Sequence, residues 1–199
     1  MTKKVTEHSR KRRFNGFLKV DEASVSYERY DGSLTKRQKL LVLERGDAAA
    51  ALVHDTRRKK VILTEQFRYP TFHKGPGWLI ETVAGGIAEG ETPEDCIRRE
   101  ILEEIGYRAK TILPIHLFYA SPGGSTERIH LFYAPVKKSD LVNAKASGVL
   151  EEQEDIRRVE IPEMEFFKSL DRGEYLDAKL IIAGHWLRRH RVLMRRRKK

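Results

Sequence analysis

Three glutamates close together have the residue type and the spacing of a metal site. Glu100, Glu103 and Glu104 fall within residues 93–105, where apolar residues recur with the period of a helix. At about 100° of rotation per residue, Glu100 and Glu104 lie one turn apart on one face, with Glu103 beside them. Such a face predicts either a divalent-cation site, because hard cations prefer carboxylate oxygens, or a solvated face in which Arg99 pairs with Glu103.

The helix that carries these carboxylates has clear boundaries in the sequence. Thr92 suits the N-cap, Pro93 suits the first turn, and Asp95 has the spacing of a capping box. Gly106 is placed to end the helix. The sequence therefore predicts a helix over Pro93–Ile105.

Other elements must hold this helix in place. Apolar runs bounded by Gly, Pro and Asp predict strands, and two later amphipathic runs predict helices. An Asp31-Gly32 turn predicts an antiparallel hairpin ahead of the main body, and Gly85 and Gly86 are expected to break the strand before the helix. The predicted strands are 48–54, 59–67, 78–83, 111–119, 129–135 and one near 159, and the predicted helices are 162–171 and 178 to about 194.

Length and composition exclude several classes of protein. The chain has 199 residues, of which 40% are hydrophobic, which suits one domain and an accessory segment. No run approaches the ~20 apolar residues of a membrane span, and residues 1–13 lack the apolar region of a secretory signal. The single cysteine, Cys96, excludes an internal disulfide and a cysteine-built zinc site. These features predict a cytoplasmic protein.

The net charge of +10 is concentrated at the two ends of the chain. Residues 1–13 carry +5 and residues 186–199 carry +8, which leaves −3 for the rest. Basic ends can bind polyanions, but these runs are short and lack interleaved aromatic residues. We therefore expect a solvated basic arm at 1–13 and a basic tail at 195–199, and nucleic-acid binding stays as the alternative.

The segment GGIAEGETPEDCIRREILEEIGY, residues 85–107, resembles the Nudix box at every defined position. The matching residues are Gly85, Glu91, Arg99, Glu100, Ile101, Glu103, Glu104, Gly106 and Tyr107. The resemblance implies a loop-helix-loop that holds Mg²⁺, or alternatively Mn²⁺, against a diphosphate. The implied fold is a Nudix α/β/α sandwich, with a mixed sheet between helices.

The resemblance also implies roles for individual residues of the box. Glu100 and Glu104 match the central metal ligands, and the carbonyl of Ala84 completes the site. Glu103 matches an additional ligand or an orienting group, and it is one candidate for activating water. Glu91 and Arg99 are implied to bridge loop and helix.

Four further motifs resemble one branch of the family, the ADP-ribose and GDP-mannose pyrophosphatases. They are EQFRYP (65–70), LIETVAGG (79–86), SPGGSTE (121–127) and EEQEDI (151–156). Pro122 lies 15 residues after Tyr107, the place that marks ADP-ribose pyrophosphatases. Arg45-Gly46-Asp47 is nearer the GDP-mannose relatives, as is GEYLDAK (173–179).

The same resemblance suggests which residues act on substrate. Glu152 matches the proposed general base and Glu154 an additional metal ligand, with Glu127 as a rival for the base. Arg68 matches a phosphate-binding residue, and the alternative is a surface Arg paired with Glu65 or Glu81. The other substrate-binding candidates are Glu81, which is alternatively structural, Gly124 through its backbone amide, and Tyr27 or Phe17 through stacking on the base.

The resemblance thus implies a hydrolase with the Nudix α/β/α sandwich fold that acts on a nucleoside diphosphate sugar. ADP-ribose, giving AMP and ribose 5-phosphate, is the leading substrate, and GDP-mannose, giving GMP and mannose 1-phosphate, is the alternative. A regulator that senses nucleotide sugars or binds RNA is a rival of another class. The expected organisation is a basic arm (1–13), an antiparallel β unit (14–45) exchanged across a homodimer, a hydrolase domain (46–194) and a basic tail (195–199).

Overall fold

The computed structural model describes residues 3–149 and 155–196. Within these ranges the strands are β1 (Val5–Asn15), β2 (Lys19–Tyr27), β3 (Gln38–Glu44), β4 (Ala48–Asp55), β5 (Lys60–Phe67), β6 (Trp78–Glu81), β7 (Val83–Gly86), β8 (Leu113–Tyr119), β9 (Arg128–Val136) and β10 (Arg157–Pro162). The α-helices are α1 (Tyr69–Phe72), α2 (Pro93–Ile105), α3 (Glu163–Asp171) and α4 (Ala178–Arg196), and a 3-10 turn covers Lys138–Asp140. No helix in these ranges is long and apolar enough to cross a membrane.

The chain divides into two compact units, and the first comprises Met1–Asp47 and Phe118–Arg128. Its antiparallel sheet has the order β1-β2-β3, so the predicted hairpin is confirmed. The expected solvated arm at 1–13 is wrong for residues 5–13, which belong to β1 and pair with β2. Every residue of β1 is exposed, and the strand is stabilised by guanidinium groups of Arg10 and Arg12 that bind the buried Asp21 carboxylate.

The second unit comprises Ala48–Leu117 and Ile129–Lys199 and contains a mixed sheet. The strand order is β10-β5-β4-β9-β8, where β4 and β9 are parallel and β4 and β5 antiparallel. The predicted strand at 78–83 is two strands, because β6 pairs with β5 whereas β7 pairs with β4. Gly85 and Gly86 do not break the strand as expected, since both pair with β4.

Helix α2 covers one face of this mixed sheet. Alternate residues of β4 point toward it and form a fully buried apolar core with one side of the helix. The intervening residues of β4 point to the opposite face, where α3 and α4 pack. The core against α2 includes Ala49, Ala51, Val53, Ile62, Val83, Ile97, Ile101 and Ile105. The predicted α/β/α sandwich is therefore confirmed, and its core fixes the rotation of α2 about its own axis.

Candidate active site

Both ends of α2 are fixed by local interactions. The Thr92 hydroxyl accepts the Asp95 N–H at 3.2 Å, as the capping-box spacing predicts. Gly106 ends the helix in the left-handed region, with φ of 75°, and its N–H donates to the carbonyl of Leu102 at 3.1 Å. A side chain at 106 would also overlap the carbonyl oxygen of Asn143. The position of the carboxylates along α2 is thus set by its two ends.

The carboxylates of α2 differ in how deeply they are buried. Glu104 is 1% exposed and Glu100 is 9% exposed, whereas one-third of the Glu103 side chain is exposed. Burying a carboxylate is costly unless opposite charges or a cation compensate for it. A merely solvated face, the alternative interpretation of the sequence, does not fit the burial of Glu100 and Glu104.

Gly85 makes room for the Glu100 carboxylate. A Cβ atom built at Gly85 would overlap Oε1, Cδ and Cγ of Glu100. The close approach brings Glu100 against β7, at the residue directly after Ala84. This explains in physical terms why a glycine stands at this position, and it brings the carboxylate next to the backbone that is predicted to supply a carbonyl ligand.

Arg99 connects the loop before α2 with two of the glutamates. Its Nη1 group donates to Glu100 at 2.7 Å and to Glu103 at 2.9 Å. Its Nε and Nη2 groups donate to the two carboxylate oxygens of Glu91 at 3.1 and 3.2 Å. The hydrogen bond from Arg99 is the main cause that lowers the pKa of Glu91, and the same bond raises the pKa of Arg99. The pairing of Arg99 with Glu103 and the bridge between loop and helix therefore coexist.

The donor atoms at this site fit a hard divalent cation. Gly85 admits the Glu100 carboxylate next to Ala84, and Glu104, one helical turn further along α2, supplies a second buried carboxylate. Across residues 3–149 and 155–196, no three His, Cys, Asp or Glu side chains form a complete metal site by themselves. Mg²⁺ commonly binds through few carboxylates and completes its shell with water and substrate phosphates. The described residues therefore fit as part of a ligand set.

Glu152 and Glu154 lie outside the described residues, whose gap covers 150–154. The two flanks of the gap are described. Gly148 donates its N–H to the carbonyl of Glu103 at 3.2 Å, and Ile156 donates to the carbonyl of Ser147 at 3.1 Å. Gly148 is therefore bound directly to the C-terminal half of α2. Ile156 is bound to Ser147, the residue next to Gly148.

Arg68 is paired with Glu81, one of the two partners that the sequence left open. Its Nε donates to Glu81 Oε2 at 2.7 Å, while the other candidate, Glu65, binds Arg157. The side chain of Arg68 is 41% exposed, and that of Glu81 is 7% exposed. Glu81 therefore lies behind Arg68, and the guanidinium group reaches the surface.

Four candidate site residues belong to the first unit, three proposed to bind substrate and one the rival for the base. Tyr27, the last residue of β2, is 40% exposed, and Phe17 is 95% exposed. The amide of Gly124 donates to Ser121 at 3.2 Å within a turn, and its carbonyl accepts from β3. Glu127 forms an ion pair with Arg45 at 2.9 Å, so the rival for the base is held by a cation.

Two charged residues beside Glu81 were missed by sequence reasoning. Lys179 Nζ lies 2.7 Å from Asp177 Oδ1 and 3.5 Å from Glu81 Oε1. Both belong to GEYLDAK, which the sequence analysis used only as a sign of resemblance. An aspartate directly before a predicted helix is a capping signal, and it could have identified Asp177.

The fold and the α2 site together agree with comparisons to known proteins. The model of the NUDIX domain matches residues 44–181, and the chain belongs to the Nudix family. It is 35% identical over 189 residues to the GDP-mannose pyrophosphatase of Escherichia coli O1:K1, covering 94% of this chain and 96% of that protein. The same identity and coverage are found for the GDP-mannose pyrophosphatase of Escherichia coli K12. A crystal structure of an ADP compounds hydrolase has the same fold, with a TM-score of 0.70 and 18% identity over 94% of this chain and 96% of that one.

Proposed function

We propose that this protein is a Mg²⁺-dependent pyrophosphatase of nucleoside diphosphate sugars. The observation that carries the proposal is the pair of buried carboxylates on α2, Glu100 and Glu104, with Gly85 leaving space for the first. Family membership supports a divalent-metal hydrolase, and the names of the E. coli relatives support a nucleotide sugar as substrate.

In this proposal a ligand set from three segments holds the cation. Glu100 and Glu104 supply carboxylate oxygens, Ala84 supplies its carbonyl, and Glu154 supplies a further carboxylate. A divalent cation bound there would stabilise charge on the diphosphate and supply a water of lowered pKa. Mn²⁺ is the alternative ion, because it accepts the same oxygen ligands.

The protein's own side chains orient the substrate and accept the proton. Arg68 binds a phosphate through its guanidinium group, a geometry suited to bidentate hydrogen bonds. Glu152 accepts the proton of the attacking water, with Glu103 and Glu127 as the other candidates for this role. Water adds across the phosphorus–oxygen–phosphorus bridge, and two phosphomonoesters leave without a covalent intermediate.

Two substrates are supported by different observations. GDP-mannose, giving GMP and mannose 1-phosphate, is supported by relatives that match nearly the whole chain. ADP-ribose, giving AMP and ribose 5-phosphate, is supported by the spacing between Tyr107 and Pro122. Glu81, Gly124, Glu127 and Tyr27 are the further residues assigned to substrate binding in this proposal, Tyr27 by stacking on the base.

The proposed assembly is a cytoplasmic homodimer in which residues 14–45 are exchanged and residues 46–194 form the hydrolase domain. RNA binding by the basic ends, including the tail at 195–199, is the rival role. The ion pairs of β1 weaken that rival, because Arg10, Arg12 and Arg13 are already bound to carboxylates of Asp21 and Glu22.

The test is hydrolysis of a panel of nucleotide sugars in Mg²⁺, with products separated by chromatography. We expect GMP and mannose 1-phosphate, or AMP and ribose 5-phosphate, as the dominant pair. Release of GDP and free mannose, or no product from any member of the panel, would contradict cleavage of the pyrophosphate bond. RNA binding at physiological salt without hydrolysis would favour the regulatory rival.

A further inference from the structure

The buried carboxylate of Glu81 lies between two positively charged side chains, those of Arg68 and Lys179. Glu81 is 5% exposed, and its two oxygens face different partners. Oε2 accepts from Arg68 Nε at 2.7 Å, and Oε1 lies 3.5 Å from Lys179 Nζ. Because one oxygen is engaged on each side, the orientation of the carboxylate is set by both cations.

The ammonium group of Lys179 is itself held in place by Asp177. Lys179 Nζ lies 2.7 Å from Asp177 Oδ1, and Asp177 is only 6% exposed. The other oxygen of Asp177 accepts the N–H groups of Thr82 at 3.2 Å and Leu180 at 3.3 Å. Asp177 therefore caps α4 and ties it to the residue that follows Glu81.

Arg68 is held at its backbone and exposed at its guanidinium group. The Arg68 N–H donates to the carbonyl of Gly77 at 2.6 Å, and the Arg68 carbonyl accepts from Thr71, so the backbone is fixed on both sides. Within the described part of the chain, its Nη groups make no hydrogen bond, and Nε binds Glu81. The exposed end of the guanidinium fork has the geometry that binds phosphate oxygens.

We infer that Glu81 is a positioning residue, anchored by Lys179, that presents the guanidinium of Arg68 to a phosphate of the substrate. The inference rests on the proposed function and changes the role of Glu81, which was expected to touch substrate. A carboxylate would repel a diphosphate directly, whereas behind Arg68 it fixes the direction of the fork. The series of ion pairs that runs from Asp177 through Lys179 and Glu81 to Arg68 then ends at the substrate phosphate.

A double-mutant cycle separates this role from direct contact. Glu81→Gln keeps the shape of the side chain and removes its charge, and we expect KM to rise about tenfold while kcat changes less than about threefold. In an Arg68→Ala background, Glu81→Gln should have no further effect on KM. Additive effects in the double variant would overturn the inference, because they would show that Glu81 acts without Arg68.

The binding of GDP, measured by calorimetry in EDTA, gives a readout that does not depend on hydrolysis. The same lack of additivity should appear in the Kd for GDP or, if the wild type prefers adenine, for ADP. An absence of turnover contradicts the proposed function alone, whereas an absence of binding of both GDP and ADP by the wild type contradicts the inference. Lys179→Met should weaken binding as Glu81→Gln does, and Lys179→Arg should restore most of it. Glu65→Gln, which removes an ion pair between β5 and Arg157 of the neighbouring strand β10, is the matched control and should bind GDP normally. If Glu65→Gln weakens binding equally, the effect is general and the inference is wrong.

Discussion

The Glu100 carboxylate occupies the space that a side chain at residue 85 would need. Gly85 lies in β7, paired with Ala49 of β4, so the strand beneath the carboxylate is held by the sheet. Glu100 lies on α2, whose ends are capped and whose apolar side is buried. Two rigid elements thus meet at this contact, and neither can yield without disturbing the core.

We expect Gly85→Ala to lower kcat about a hundredfold, because the added methyl group displaces the Glu100 carboxylate. Gly86→Ala is the matched control, since a Cβ at Gly86 meets nothing within 4 Å. Steady-state kinetics and circular dichroism of both variants check this. If Gly85→Ala is as active as Gly86→Ala, the position of Glu100 does not matter for catalysis.

We expect Glu104→Gln to lower turnover by roughly 10³-fold or more while the fold remains intact, because it removes a charged ligand from the proposed cation site. The measurement is kcat across a Mg²⁺ titration, with thermal unfolding to confirm the fold. Glu94→Gln, in the exposed first turn of the same helix, is the control for loss of a charge. A near-normal kcat for Glu104→Gln at saturating Mg²⁺ would remove Glu104 from the ligand set.

Glu152 and Glu154 should respond differently to amide substitution. A general base contributes about 10² to 10⁴-fold to rate, so Glu152→Gln should lower kcat with little change in the Mg²⁺ requirement. Glu154→Gln should instead raise the Mg²⁺ concentration needed for half-maximal rate. Metal titrations at saturating substrate distinguish them. Full activity in Glu152→Gln together with loss in Glu127→Gln would assign the base to Glu127.

The stability of the fold should fall as pH drops below about 6.5, the ordinary pKa of histidine. His54 is buried, binds the Tyr133 hydroxyl at 2.8 Å and lies 3.6 Å from Glu163. Burial is the main cause that lowers its pKa, helped by Arg191 and opposed by Glu163 and Asp55. Below pH 6.5, His54 therefore binds a proton in the unfolded chain but not in the folded chain. The contribution of neutral His54 to the free energy of unfolding is complete above pH 6.5 and is lost as the pH falls below that value.

Urea unfolding between pH 7.5 and 5 measures this dependence. His54→Gln should flatten it, because the amide can still bond to Tyr133 but does not titrate in this range. His116→Gln, at an exposed position, should leave the slope unchanged. Equal slopes for wild type and His54→Gln would show that other groups control acid stability.

The parts of the structure that depend on local signals were predictable from sequence. Helix α2 begins and ends where Thr92 and Gly106 predict, because capping is decided by residues within one turn. The central strands follow from runs of buried apolar residues. Strand β1 was missed because it contains mostly charged and polar residues, and it is held by pairing with β2 and by Asp21 rather than by burial.

The parts that depend on distant residues were predictable only as alternatives or not at all. Arg68 had two acidic candidates of equal merit in sequence, and the pairing of β5 with β6 selects Glu81. Asp177 and Thr82 are 95 residues apart, and no local pattern connects them. The glycines of β7 were interpreted as strand breakers, whereas Gly85 is needed for a side chain from another element.

The parallel pairing of β4 with β9 has a consequence for the order of folding. It joins parts of the chain that are far apart, as in the contact between His54 and Tyr133, which are 79 residues apart. Closing such a loop costs conformational entropy before the native contacts compensate for it, whereas α2 forms through contacts between residues that are close in sequence. The carboxylate helix can therefore form early. Strand β7, against which Glu100 packs, is held by β4, and β4 is paired on both sides only when β9 joins it. Catalytic competence should therefore be among the last properties that a refolding chain recovers.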